Sequence, residues 1–258
     1  MTVRFEHQGL QWEADLQRYV DLSIPISRTG PRAWGLGAAE IRPYRQGDFV
    51  GSMAAGASVN FNDIAFNPHA HGTHTECLGH ITRDIYSVNT HPPKPWMLAA
   101  LASFAPESRG TDRVITLAQV EGSFSGPVPQ AVILRTLPNP ETKKHEVYSG
   151  TNPPYLEASA AAWLARMGVE HLLLDLPSVD READGGALSA HKAFWGLPDQ
   201  PRESATITEL VYVPDHVVDG TYLLNLQVAP FENDASPSRP LLFPVRRVDG
   251  TLAGLKEE

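Results

Sequence analysis

Two stretches decide the fold: Gln130–Leu137, QAVILRTL, and Tyr155–Pro177, YLEASAAAWLARMGVEHLLLDLP. In the second, Leu156, Ala160, Trp163, Leu164 and Met167 recur at spacings of three and four, which predicts a helix over Tyr155–Met167 with Gly168 as its stop. Val169, Leu172, Leu173 and Leu174 follow as a short apolar run, the pattern of a strand buried on both faces. QAVILRTL reads the same way. Strand, helix and strand in that order form a crossover unit, which requires at least two parallel strands.

Working outward, RYVDLSIPIS near the start, RVITLAQV from Arg113, TITELVYVP from Thr206 and TYLLNLQVAP from Thr221 are short runs with strand composition. Trp96–Phe104, preceded by Pro92, Pro93 and Pro95, is a second helix candidate with a loop as its alternative. Strands outnumber helices, so the prediction is an α/β domain with parallel and antiparallel strands rather than a doubly wound sheet. No repeat or linker interrupts the 258 residues, and one domain over 1–258 is the simpler reading.

Composition excludes several classes. Lys and Arg number 21 against 30 Asp and Glu, a formal charge of −9, so nucleic acid and anionic membrane surfaces are not expected partners. The single cysteine, Cys77, cannot form an internal disulfide. Glu6, Glu13 and Asp15 interrupt the first residues where a secretory signal needs an apolar core. The longest strongly apolar stretch, from Trp96 to Ala105, is about half of what a membrane helix needs. A cytoplasmic protein is expected.

Chemistry concentrates in HAHGTHTECLGH, where His69, His71, His74 and His80 fall within twelve residues alongside Glu76 and Cys77. In extended chain His69 and His71 share a side, as do His74 and Glu76 beyond the Gly72-Thr73 turn, and imidazole with carboxylate is the donor set of a divalent ion such as zinc or manganese. Gly79 leaves the backbone free to aim His80. Cys77 is either a nucleophile served by His74 or His80, or a small buried hydrophobe. A second constellation leaves the strand ending at Asp175, passes Asp180, Glu182 and Asp184, and reaches His191, Phe194 and Trp195. Loops at the carboxyl ends of parallel strands are where α/β proteins bind ligands. Glu209 then sits in TITELVYVP with Ile207 and Val211 on its strand face, and a carboxylate in apolar company needs a metal or cation. Trp34, Phe61, Phe66, Phe194 and Trp195 are candidate walls for a flat substrate.

With these residues the chain resembles the cyclase family of metal-dependent amide hydrolases, of the kynurenine formamidase and isatin hydrolase kind, whose signature is HxGTHxDxPxH. The stretch from His71 to His80 covers that signature in part, and YVDLSIPIS, DLPSVDRE, SAHKAFW and GTYLLNLQVAPFENDASPSRPLLF extend the likeness over most of the chain. The resemblance implies His74, Glu76, His191 and Glu209 as metal ligands, His80 as general acid and base, and Trp34 as a substrate contact. It also implies a swivelling β/β/α fold and a homodimer or higher homo-oligomer. Three positions depart: Ala70 stands where the first ligand histidine belongs, Glu76 replaces aspartate, and Leu78 replaces proline. Either His69 or His71 is expected to swing into the place left by Ala70, or water to fill it and leave a single metal, and a histidine substituted at Ala70 should then raise metal stoichiometry or affinity.

The activity implied is cleavage of a small linear or cyclic amide. A bound Zn²⁺ or Mn²⁺ lowers the pKa of its water from about 15.7 toward about 7, and the resulting hydroxide attacks the carbonyl while His80 moves the proton. The alternative is a catalytically silent small-molecule-binding protein that kept the fold and lost the metal with the histidine at Ala70.

Overall fold

In the computed structural model, which describes residues 1–124, 128–248 and the backbone of 252–253, the principal strands are β1 (Thr2–His7), β2 (Leu10–Asp15), β3 (His74–Glu76), β4 (Trp96–Phe104), β5 (Ala131–Thr136), β6 (His171–Leu174), β7 (Thr206–Glu209), β8 (Gly220–Val228) and β9 (Ala235–Arg247). The α-helices are α1 (Leu117–Ser123), α2 (Ala158–Arg166) and α3 (Ser189–Trp195). The strands β9–β8–β4–β5–β6–β7–β3 neighbour one another in that order, and β3 returns to pair with β9, so they close into a ring. Its β4, β5, β6 and β7 run parallel, and the remaining pairings are antiparallel. This is a mixed α/β architecture, with the predicted crossover from β5 through α2 to β6.

Strand periodicity explains why β5 and β6 read as continuous apolar runs. Val132, Leu134, Leu172 and Leu174 face a core with Ala160 and Leu164 of α2 and Phe194 and Trp195 of α3. Their neighbours Ala131, Ile133 and Leu173 face a second core with Tyr222, Leu224 and Leu242. Both faces are buried, so both positions must be apolar. Each Leu or Ile so buried is favoured by about 1.5–3 kcal/mol over an exposed one.

Several boundaries differ from the sequence reading, each for a tertiary reason. Trp96–Phe104 is a strand and not a helix, because β5 on one edge and β8 on the other take its backbone hydrogen bonds. Its Leu, Ala and Met favour a helix intrinsically, and the ladders outweigh that preference. Helix α2 starts at Ala158 because Tyr155 and Leu156 pair with Val114 and Ile115. RVITLAQV is half strand and half helix: Thr116 and Gln119 form a capping box that opens α1. YVDLSIPIS shrinks to Val20–Asp21, paired with Leu241 and Leu242.

The β1–β2 hairpin lies outside the ring and joins it by pairing Trp12–Ala14 with Val245–Arg247. It covers Leu98, Leu223 and Phe243 with Trp12 and Ala14. Among the described residues no helix is long and apolar enough to cross a membrane.

Candidate metal centre

The site lies where β3 completes the ring. On this three-residue strand His74 and Glu76 point to one side, and Thr75 points to the other, where its Oγ1 meets Thr208 Oγ1 at 2.8 Å. Antiparallel pairing sets Glu209 of β7 opposite His74, which brings Glu209 Oε2 to 3.5 Å from His74 Nε2. The backbone N–H of Val179 donates to Glu209 Oε1 at 2.9 Å and fixes that carboxylate. Ile207 shares the face of Glu209, but Val211 does not. Leu210, at φ 54°, turns the chain, and Val211 joins the opposite core.

Helix α3 adds His191, whose Nε2 lies 2.9 Å from Glu76 Oε1. Its Nδ1 lies 2.6 Å from Asp180 Oδ2, and the same carboxylate accepts from the backbone N–H groups of Ala190 and His191 at 2.7 and 3.1 Å. Asp180 therefore caps the helix and orients its histidine together.

Upstream of Gly72 the chain turns instead of running extended, so His69 and His71 diverge. His69 Nδ1 lies 3.1 Å from Glu76 Oε2. His71 is turned away: the Asn67 backbone N–H donates to its Nδ1 at 2.8 Å, and its Nε2 donates to Gly37 O at 2.7 Å. That corrects the expectation of His71 as a ligand, since both its nitrogens are used by backbone. Ala70 is fully buried. Gly72 sits at φ 131°, and a Cβ there would meet Ile24 O at 2.8 Å, so glycine is required before Thr73. The Thr73 hydroxyl donates to Leu210 O and accepts from Ile24 N, tying β3 to the end of β7.

His80 lies on a 3₁₀ turn, Leu78–Ile81, with its ring stacked on His69 at 4.2 Å between centroids. Its Nε2 is 3.7 Å from Glu76 Oε2. Gly79 does not supply flexibility as expected. It supplies clearance, because a Cβ there would fall on the Tyr86 carbonyl oxygen. Cys77 is buried with its Sγ–H donating to Tyr86 O at 3.5 Å, and burial pushes its thiol pKa up. It is the small buried hydrophobe and not a nucleophile.

Carboxylates dominate the electrostatics. Burial disfavours charge on His191, but Glu76, Asp180 and Glu209 outweigh it and raise its pKa to about 10. Burial likewise opposes charge on His69, and Asp234 with Glu76 lifts it to about 10. Burial would raise Glu76, yet His80, His191 and His69 hold it well below the usual carboxylate range. Within the site His74 Nε2 and Glu76 Oε2 are buried with no well-formed hydrogen bond, although Glu209 lies 3.5 Å from the first and His69 3.1 Å from the second. An unsatisfied buried polar group costs about 1–3 kcal/mol, and a cation coordinated by both atoms would satisfy them.

Ligand atoms of His69, His74 and Glu76 lie within 4.8 Å of one another, as do those of Glu76, His80 and His191. An imidazole and carboxylate set with no thiolate suits a borderline divalent ion. The residues present fit such an ion, which His69, His74, Glu76, His191 and Glu209 would hold.

A cavity of about 430 Å³ opens over this cluster, with His69, His80, His191 and Glu209 at its base and Trp34, Leu36 and Leu188 among its walls. Trp34 Nε1 donates to His69 O at 3.1 Å. Phe194 and Trp195 do not wall the cavity. Both are fully buried in the core between α3 and the strands, because α3 presents His191 to the site and packs its aromatics beneath. Phe61 is exposed, and Phe66 packs on Phe231.

Sequence reasoning missed Asp234, whose Oδ2 contacts both His69 Nε2 at 2.8 Å and His80 Nδ1 at 3.3 Å. It lies in FENDASPSRP, with no spacing to mark it out from its acidic neighbours.

A ring of strands with converging histidines and carboxylates at its closing strand defines an α/β protein with a candidate divalent-metal centre. The chain belongs to the putative cyclase family, whose profile matches residues 20–181. It is 37% identical over 93 residues to a kynurenine formamidase of Bacillus mycoides (strain KBAB4), a match spanning 36% of this chain and 41% of that protein. The chain thus matches about two fifths of the length of its Bacillus relatives. Likeness to a kynurenine formamidase of Bordetella avium (strain 197N) is 26% over 229 residues, covering 88% of this chain and 98% of that protein. Among solved structures, isatin hydrolase A from Labrenzia aggregata, bound to benzyl benzoate, superposes with a TM-score of 0.65 at 15% identity, covering 88% of this chain and 93% of that one. A structure described as a potential metal-dependent hydrolase with cyclase activity gives 0.64 at 16% identity, covering 88% and 97%. These likenesses agree with the fold derived above.

Proposed function

We propose that the chain is a metal-dependent hydrolase that cleaves the C–N bond of a small linear or cyclic amide, with zinc or manganese as its ion. The observation that carries this reading is the pair of buried ligand atoms without a hydrogen bond, His74 Nε2 and Glu76 Oε2, in the cluster beneath a cavity lined by His69, His80, His191 and Glu209. The names of the relatives supply the substrate class: an aryl formamide in one case, the cyclic amide isatin in the other.

A divalent ion in this site supplies a Lewis acid for the carbonyl and lowers the pKa of water. The protein does the rest. His191, held by Asp180, and Glu209, held by Val179 N–H, are locked in orientation before substrate arrives. His80 is partly exposed to the cavity, where its imidazole takes a proton from the attacking water and returns it to the departing nitrogen. Trp34, Leu36 and Leu188 offer apolar surface to an aromatic substrate and exclude water. A linear amide yields a carboxylic acid and an amine, and a cyclic amide opens to one molecule that carries both groups.

The silent-binding alternative drew its support from Ala70. His69, whose Nδ1 lies 3.1 Å from Glu76 Oε2, supports the hydrolase reading over that alternative. Elemental analysis of purified protein with a panel of N-formyl anilines and isatin tests the proposal: stoichiometric zinc or manganese and chelator-sensitive hydrolysis are expected, and a metal-free, inactive protein overturns it. We further propose a homodimer on the strength of the resemblance, and light scattering in solution decides it.

A further inference from the structure

We propose that Asp234 is a positioning residue that fixes the tautomers of His69 and His80 at once, leaving His69 Nδ1 for the metal and His80 Nε2 for the proton of the attacking water. The inference rests on the metal-hydrolase reading for its catalytic consequence, and on the placement of Asp234 between two imidazoles for the tautomers of the metal-loaded protein.

One oxygen of Asp234, Oδ2, lies 2.8 Å from His69 Nε2 and 3.3 Å from His80 Nδ1. An ionised carboxylate only accepts hydrogen bonds, so both facing nitrogens must carry protons. Without an ion, Asp234 and Glu76 together favour a charged His69; a divalent cation that displaced its second proton would find the lone pair on Nδ1, and in a neutral His80 the lone pair is on Nε2. His69 Nδ1 is aimed at the Glu76 side, where the ion would sit. His80 Nε2 is the nitrogen nearer the buried cluster, 3.7 Å from Glu76 Oε2.

The second consequence decides whether His80 can work. An unconstrained neutral imidazole prefers its proton on Nε2, and in that form His80 could not accept one there. Asp234 reverses the preference. Its own position is fixed by the barrel: Ala235 pairs with Glu76, and Cys77 N–H donates to Asp234 O at 2.9 Å. A carboxylate 165 residues from His69 in sequence therefore lies beside it. The stacked rings of His69 and His80 let a single oxygen serve both.

The test is ¹⁵N-histidine NMR on the zinc-loaded protein, beside zinc affinity by chelator competition and steady-state kinetics with an N-formyl aniline. In the unsubstituted protein His80 should appear protonated on Nδ1 and His69 on Nε2. In Asp234→Asn the carboxylate charge is lost and the amide nitrogen can donate toward one of the rings, so His80 should revert to Nε2–H. Zinc affinity should fall by about 10–100-fold, the cost usual for losing a carboxylate behind a ligand histidine. The kcat should fall with KM changed by less than about twofold, and Asp234→Glu should restore the Nδ1–H form in part. A His80 protonated on Nε2 in the unsubstituted protein overturns the proposal, whether or not the variants fold. So does Asp234→Asn that keeps both tautomers and its zinc affinity. If the unsubstituted protein hydrolyses no amide, the hydrolase reading fails, and the NMR and zinc measurements still decide the role of Asp234.

Discussion

His80 and His74 sit six residues apart and should fail differently when removed. His80 lines the cavity, whereas His74 is fully buried with its Nε2 aimed at the cluster. His80→Ala should lose about 10²- to 10⁴-fold in kcat and keep its metal, while His74→Ala should lose both, as elemental analysis beside kinetics will show. His69→Ala should lower metal affinity, and His71→Ala should leave affinity unchanged and lower the melting temperature. Ala70→His, which the sequence suggested as a repair, should instead destabilise the protein, because the site of Ala70 is fully buried and the imidazole already comes from His69. At this scale the sequence was informative for reasons that can be named. His74, Glu76, His191 and Glu209 were legible because a signature and a likeness marked them. Which of His69 and His71 enters was not, since it depends on a turn that hands His71 to the backbone of Asn67 and Gly37. Asp234 was invisible because only strand pairing brings it to His69.

Among the elements, the buried strands were legible and the half-strand segments were not. Apolar runs such as β5 declare themselves when both faces are covered, but β4 has the same composition as a buried helix and only its neighbours decide. The carboxylate of Asp180 caps α3 from outside, since Leu188 at the N-cap offers no side-chain bond. Asp180→Ala should cost about 0.5–2 kcal/mol by denaturant unfolding and also release His191. His171, at the start of β6, gives a test away from the metal centre. Burial, aided by Lys94 and Arg202, pushes its pKa down to about 4 from 6.5. The unfolded chain therefore binds a proton that the folded one refuses, and stability should fall by about 3 kcal/mol as pH drops from about 6.5 to about 4. His171→Gln should flatten that limb of a melting-temperature profile, and an unchanged profile would contradict the assignment.

For the whole molecule, the closed ring was the least legible feature, because closure depends on a three-residue strand that no periodicity can reveal. The same closure joins metal and stability. An ion held by His74 and Glu76 of β3, Glu209 of β7 and His191 of α3 would span three elements, so binding it stabilises the folded state over the unfolded one. Free zinc at about 100 times its dissociation constant should add about 2.7 kcal/mol. A chelator should lower the melting temperature accordingly, and an equal melting temperature with and without chelator would show that these residues hold no ion.

The place of β3 in the chain also orders events during synthesis. His74 to Glu76 must wait for Ile207 to Glu209 on one side and Ala235 to Pro237 on the other. Pairings so distant along the chain form slowly, and here they cannot form at all until the ribosome has passed Pro237. The histidine-rich window is therefore exposed in the nascent chain as a loose chelating peptide. It becomes a selective site only when the late strands arrive, so a fragment ending before Glu209 should hold zinc no better than its unfolded form.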